Sequence, residues 1–405
     1  MKQIIYNTIK SSMVLLGSAL ILFTSNNVYE PIEGGTVPPV RDPATTLAKR
    51  IAANSSYSIL NTALTRTGLN TVLDQPNANF TVFAPSNAAF AASGIDLATV
   101  NALPVATLTS ILLYHVIPNE QILAASIPTS CPIALKGSGL NISTNNLVPN
   151  LNSTAIPIKM SIFPSRRTAG AWANNIPVIA PDAITGSNGV AHGVAAVIAP
   201  PSQLLIQAVA ADPDFTYLVA AVTRADSGLV ATNNPATDTR IAFALSFPLA
   251  SLTVFAPTNQ AFQNLLIPAI TQVLVGQGLD LATAQATATS LASTPAVFSN
   301  PALFPVLTPQ FVRGILAYHV IGQRAFAANF PTTAASFPTL LNGVISNHPG
   351  VAVNASFTGP VATGLSIKGI GNATAATAAP LPTGFVDRTC VNGVFYKINQ
   401  VLLPQ

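Results

Sequence analysis

The chain contains one unit twice, and that repeat limits its fold more than any other feature. Residues 79–90 read NFTVFAPSNAAF, and residues 251–262 read SLTVFAPTNQAF. ILLYHVI at 111–117 returns as ILAYHVI at 315–321. NGVAH at 188–192 returns as NGVFY at 392–396, and each copy then runs through an apolar stretch to a Pro, Pro200 or Pro404. Three motifs in the same order, twice, require two similar domains in tandem. That agrees with the roughly 100–200 residues a domain usually takes.

The spacings show where the copies differ. From Tyr-His to Asn-Gly is 73 residues in both (115 to 188, 319 to 392). From Ala-Pro to Tyr-His is 30 residues in copy one (85 to 115) and 62 in copy two (257 to 319). Copy two therefore carries 32 extra residues, placed at about 268–309, where an Ala- and Thr-rich stretch reads as an extra helix or loop. The Pro200-Pro201 pair marks the boundary, with domains at 44–201 and 202–405. The TVFA runs are β-prone and stop at Pro85 and Pro257. Ser86 and Thr258 are placed to cap the helices that follow. The segments before Tyr-His read as helices. The 73 residues after it hold Val/Ile-rich runs broken by Gly, Pro and Asn, which read as strands and turns. Each unit is α+β.

Composition excludes several classes. Apolar residues are 49% and charged residues 7%, which rules out disorder for most of the chain. Seventeen Lys and Arg against 13 Asp and Glu leave +4, and the cations are scattered, so no nucleic-acid stripe forms. No G-x-S-x-G, H-E-x-x-H, C-x-x-C, P-loop or dinucleotide motif occurs, so neither an enzyme nor a cofactor is expected.

The N-terminus reads as an export signal over 1–27: Lys2 and Lys10, then the apolar run 13–23, too short for a bilayer. Residues 22–25 resemble the stretch before a lipidated Cys in a bacterial signal. Asn26 stands where that Cys would be, so no lipid anchor is expected. Residues 28–43 read as a flexible Pro/Gly tether. The expected location is extracellular, cell-surface or periplasmic.

The ordered pattern T-V-F-A-P-[ST]-N-x-A-F, Y-H-V-I, N-G-V-x-[HY] resembles the fasciclin (FAS1) domain, twice over, across 44–201 and 202–405. The resemblance implies a β-wedge of short strands with packed helices. It implies adhesion or ligand binding at a cell surface, and ligand recognition by the pairs Tyr114-His115 and Tyr318-His319. Many members carry an Asp three residues after the motif His. Copy one has His192 with Ala195 at that place, and copy two has Tyr396 with Asn399, so neither motif holds both residues.

Each candidate also has a structural reading. A Tyr-His pair amid Ile, Leu and Val is expected in the core, with the His hydrogen-bonded. Asn87 and Asn259 read as helix-start or turn residues. Asn188-Gly189 and Asn392-Gly393 read as type I′ hairpin turns with both residues at positive φ. His192 and His348 show no metal spacing, and His348 reads as a solvated turn residue. Cys131 and Cys390 sit at different points of the repeat and read as free thiols. The basic pair Arg166-Arg167 reads as solvated.

The function expected is an exported adhesion or ligand-binding protein that holds a cell-surface or matrix protein or a polysaccharide. A structural envelope component that self-associates is the alternative. An extracellular hydrolase is a remote third.

Overall fold

The computed structural model describes residues 45–129, 136–143, 157–168, 170–382 and 384–405. The expected signal, the tether and Cys131 lie outside the described residues. All described residues belong to one unit, Arg41–Gln405.

In the first domain, α1 (Leu47–Ala52), α2 (Ser58–Thr67) and α3 (Leu69–Leu73) precede strand β1 (Phe80–Pro85). Helices α4 (Asn87–Ala92), α5 (Leu97–Ala102) and α6 (Val105–Tyr114) follow, and α6 delivers the Tyr-His pair into β2 (Val116–Pro118). Then come β3 (Lys136–Ser143), β4 (Pro157–Ile162), β5 (Pro164–Arg167), β6 (Gly170–Ala173), β7 (Ile176–Gly186) and β8 (Gly189–Val194). The main sheet has the order β2-β1-β8-β7-β6-β5, and β3 pairs with β4. At its centre β1 runs parallel to β8, although their starts lie 109 positions apart (Phe80↔Gly189 leads the register). Both strands are buried along their whole length, so they read as continuous apolar runs rather than alternating ones.

The second domain repeats this plan. Helices α7 (Leu205–Ala211), α8 (Thr216–Ala225) and α9 (Ile241–Ser246) lead to β9 (Leu252–Pro257). After α10 (Asn259–Gly276), α11 (Leu281–Leu291) and α12 (Pro309–Tyr318) come β10 (Val320–Ile321), β11 (Ala335–Phe337), β12 (Val351–Thr358) and β13 (Val361–Lys368). The domain closes with β14 (Ala376–Thr377), β15 (Arg388–Cys390) and β16 (Gly393–Ile398). Its sheets have the orders β10-β9-β16-β15 and β11-β12-β13-β14, and β9 runs parallel to β16 from Leu252↔Gly393 onward. The family resemblance implied this α+β arrangement of short strands with packed helices, and the structure shows it in both domains.

The extra residues of copy two are helical and do not start as a loop at Pro268. Helix α10 continues through Pro268 for 18 residues, where α4 has six. Helix α11 and two 3-10 turns complete the addition. Ala288, Val297, Phe298 and Leu303 of this addition are buried in the helical core with Leu218, Val222 and Phe262.

The two domains share a core at their junction. Phe163 and Trp172 of the first domain pack into the cluster that holds Phe326 and Phe330 of the second. Phe163 meets Phe326 at 5.7 Å between ring centroids, and Arg324 sits 4.7 Å above the Phe163 ring. Trp172 Nε1 donates to the Pro360 carbonyl at 2.8 Å. Arg167 donates to the carbonyls of Asn329 and Phe330, and Asn329 Nδ2 donates to Ser165 Oγ at 3.0 Å.

Candidate functional site

The motif residues form internal brackets, and the two copies build them alike. Helix α6 ends at Tyr114 with His115 as its C-cap, and α12 ends at Tyr318 with His319. All four side chains are buried, so none presents surface to a partner as the resemblance implied. His115 Nδ1 donates to the Ile111 carbonyl at 2.8 Å, and its Nε2 accepts from Ile198 N at 2.9 Å. His319 does the same with Ile315 (2.7 Å) and Leu402 N (2.8 Å). The Nε2 contacts require an acceptor there, so the proton sits on Nδ1. Burial drives both imidazoles down to about 4, so they are neutral at pH 7.

The tyrosine hydroxyls bridge backbone segments. Tyr114 donates to the Ser161 carbonyl and accepts from Asn174 Nδ2, both at 3.0 Å. Tyr318 donates to the Gly350 carbonyl at 2.7 Å and accepts from Ile370 N at 3.2 Å. His348 is no free turn residue. Its ring lies 5.0 Å from that of Tyr318, its Nε2 bonds the Pro404 carbonyl at 2.9 Å, and its Nδ1 accepts from Gly350 N at 3.0 Å.

Asn87 and Asn259 follow the strand-ending Pro85 and Pro257 and act on a distant helix. Ser86 and Thr258 cap the local helices by accepting from Ala89 N and Ala261 N. Asn87 Oδ1 accepts from Ile59 N at 3.0 Å in the first turn of α2, whose own start has no side-chain cap. Asn259 Oδ1 accepts from Tyr217 N at 3.0 Å in α8. An acceptor at a helix start satisfies a backbone N–H with no partner inside the helix.

The Asn-Gly turns differ from the expected type I′. Gly186 pairs with Gly189 and Cys390 with Gly393, so the connecting residues are Ser187-Asn188 and Val391-Asn392. Neither Asn has a positive φ. The Asn side chains are buried instead. Asn188 Oδ1 accepts from Leu47 N, and its Nδ2 donates to the carbonyls of Leu73 and Gln75, all within 2.9 Å. Asn392 repeats this with Leu205 N, Leu245 O and Phe247 O. Each ties two helical segments to the central strand pair. Gly189 and Gly393 are glycines because the neighbouring strand passes too close: a Cβ would lie 2.2 Å from Phe80 O or 2.5 Å from Leu252 O.

His192 and Tyr396 hold equivalent places on β8 and β16, and each has a carboxylate beside it that the motif spacing did not reveal. Asp182, at φ 51° in an irregular part of β7, gives its backbone N–H to His192 Nδ1 at 3.0 Å. Its carboxylate accepts from Ala124 N, while His192 Nε2 bonds the Ile122 carbonyl at 2.9 Å. Tyr396 donates within 2.8 Å of both Ala325 O and Asp387 Oδ1, and that oxygen also accepts from Ala327 N at 2.7 Å. Burial raises the Asp387 carboxyl to about 6 and lowers the His192 imidazole. The motif spacing placed no Asp beside His192 or Tyr396, and the carboxylates come from outside the motif: Asp182 from β7 and Asp387 from the residue just before β15. Ala195 and Asn399 supply neither.

Cys390 is a free, buried thiol, pushed up to about 12 by burial, and is not a nucleophile at neutral pH. Among the described residues, no group of three or more His, Cys, Asp or Glu could hold a metal ion. Arg166 and Arg167 are half-buried at the domain junction, not solvated as expected.

Two α+β modules in tandem, each clamped by its own Tyr-His and Asn-Gly brackets, define a repeat protein of the kind the motifs suggested. The chain belongs to the fasciclin domain family: the family model, Fasciclin domain, matches residues 55–200 and again 213–404. It is similar to a solved FAS1 domain pair from the insect cell adhesion molecule fasciclin I, at 13% identity and a TM-score of 0.30, over 88% of this chain and 95% of that one. No curated protein matches it. Fasciclin domains are typical of cell-adhesion proteins rather than enzymes, and typically lie at the cell surface or outside the cell. Among the described residues no single helix is long and apolar enough to cross a membrane.

Proposed function

We propose that this protein is an exported, cell-surface adhesion or ligand-binding protein that attaches through its fasciclin domain pair to a surface protein or polysaccharide. The observation that carries this reading is the pair itself. Two domains of an adhesion-type family are joined through Phe163, Trp172 and Arg167, so they present one continuous surface. Binding elements held in fixed relation gain effective concentration for a partner that reaches both. The motif residues are consumed as internal brackets, so recognition falls to the outer loops and the junction.

The test is attachment of the purified chain to producing cells, matrix proteins and polysaccharides over a concentration series. Saturable attachment to one class is expected. A folded protein that attaches to none of them would contradict the reading.

A second reading, self-association within an envelope, is favoured by exposed apolar side chains on a charge-poor chain. Val344 is 84%, Leu281 65% and Phe311 55% exposed. Sedimentation that stays monomeric over a wide concentration range would remove it.

A further inference from the structure

The helical addition of copy two does more than extend the core. Its two 3-10 turns, Pro295–Ser299 and Pro301–Leu303, lie beside α8 and leave an open cleft of about 500 Å³. Arg224, in the last turn of α8, lines this cleft together with Phe304. Its counterpart in copy one is Arg66, which follows Tyr57 by nine residues as Arg224 follows Phe215. Arg66 is engaged inside its domain, where its Nη1 donates to the carbonyls of Val100 at 2.7 Å and Leu103 at 2.6 Å. Counting back from each motif His, Leu307 takes the place of Leu103 and Phe304 that of Val100. Val100 is wholly buried, whereas Phe304 is 38% exposed.

This exchange frees the end of the guanidinium. Arg224 keeps the bond to the Leu307 carbonyl through its Nε, at 2.7 Å, and its guanidinium carbon lies 3.8 Å from the centroid of the Phe304 ring. Among the described residues, its Nη1 and Nη2 have no hydrogen-bond partner and its charge has no ion pair. Asp226, two residues on, turns its carboxylate to the start of α9, where it accepts from Ile241 N and Ala242 N. None of the residues lining the cleft is acidic. A guanidinium fixed at its inner edge presents its outer N–H groups as a planar fork, which matches two oxygens of a carboxylate or sulfate.

The rest of the lining narrows the ligand. Thr223, Ser227 and Ser299 bring hydroxyls, while Phe304 and Pro295 bring apolar surface. A sugar presents hydroxyls and C–H faces together, and so suits such a mixed lining. A peptide fits less well. The lining comes from one helix and the 3-10 turns, with no strand edge to pair a peptide backbone.

We propose that this cleft binds an acidic sugar residue of a polysaccharide, with Arg224 pairing its carboxylate or sulfate and Phe304 lying against the sugar ring. The proposal rests on the adhesion reading and deepens it by assigning the ligand class and its place in the second domain.

The test uses the full chain and titrates oligogalacturonate, its fully methyl-esterified neutral form, dextran sulfate, plain dextran and polyglutamate. Saturable binding to oligogalacturonate, dextran sulfate or both is expected, with the neutral forms much weaker. The two anionic arms show whether carboxylate or sulfate is preferred. Arg224→Gln should lower affinity roughly tenfold, the size of one charge-assisted hydrogen bond. Because Arg224 also packs on Phe304, Ser227→Glu is the second variant. It sets a carboxylate at an exposed position of the lining and should weaken anionic binding by at least about tenfold, with an unchanged melt. Arg50→Gln removes a cation from an exposed position on α1 and should leave affinity unchanged. Wild-type affinity in Ser227→Glu, equal loss in Arg50→Gln, no anionic saccharide binding, or equally tight polyglutamate binding would overturn the site. Attachment to a matrix protein that survives Ser227→Glu, with no saccharide bound, would sink this cleft and leave the adhesion reading standing. Saccharide binding lost in Ser227→Glu, with no attachment of the wild type to any surface, would do the reverse.

Discussion

His115 and His319 each hold a backbone N–H of the segment that closes their domain, Ile198 or Leu402. His115→Ala removes the acceptor, leaves the Ile198 N–H buried without a partner, and opens a small cavity. A loss of about 2–4 kcal/mol is expected from urea unfolding, with binding at the outer surface preserved. A variant with the wild-type melt and lost binding would contradict this role. The pH dependence follows from the same burial. Each His titrates near about 4 when folded, against an unfolded value of 6.5, so the unfolded chain binds more protons in between. Their stabilisation is complete above pH 6.5 and falls as pH drops toward 4, by on the order of 3 kcal/mol per histidine. Asp387 has the opposite sense. Burial raises it to about 6 from 3.8, so its contribution is complete below pH 3.8 and is lost as pH rises through about 6. Its Oδ2 is buried without a partner. Asp387→Asn should therefore be more stable than wild type at pH 8, with the difference vanishing below pH 4. Urea midpoints across that range check both, and a pH-independent difference would refute the assignment. The buried setting of the histidines is legible in the apolar run around them. Their actual partners, 83 residues away, are not.

At the level of elements, the parallel pairs β1–β8 and β9–β16 are what the Asn-Gly motifs serve. Gly189→Ala would place a methyl carbon 2.2 Å from Phe80 O and 2.9 Å from Phe80 N, both rigid backbone atoms. The strands cannot keep their register around it, so a loss above about 3 kcal/mol is expected. Hydrogen exchange at Val82 and Phe83 compared with wild type is the check, and unchanged protection would show that the strands part without cost. The sequence reading placed turns here correctly and assigned the wrong geometry. Asn-Gly is a hairpin signal in isolation, but the Leu47 N–H and the Leu73 carbonyl that recruit Asn188 lie 141 and 115 residues away. The same limit hid Asp182. An irregular stretch of β7 presents it to His192, and register irregularities leave no mark in residue spacing. The helical addition in copy two was visible as a count of residues. That α10 runs through Pro268 was not, because tertiary packing of Leu266 and Ile270 outweighs the lost backbone bond.

Across the whole molecule, the junction decides how the two domains behave. Trp172 is fully buried between them, tilted against Phe357 at 6.0 Å between ring centroids and bonded to Pro360. Trp172→Ala should cost about 3–5 kcal/mol and divide a single calorimetric transition into two, because coupling between domains is what that side chain supplies. One sharp transition at the wild-type temperature would mean that other contacts carry the coupling. The sequence alone determined that there are two copies, that each is α+β, and which family they belong to. Repetition, apolar runs and turn residues are local properties, readable along the chain. Only the tertiary structure decided that the Tyr-His and Asn-Gly residues face inward, that a carboxylate from a neighbouring strand joins His192, and that Arg166 and Arg167 are half-buried at the junction. Those outcomes depend on which surfaces become buried against each other, and burial is set by contacts between residues too far apart in sequence for spacing to report.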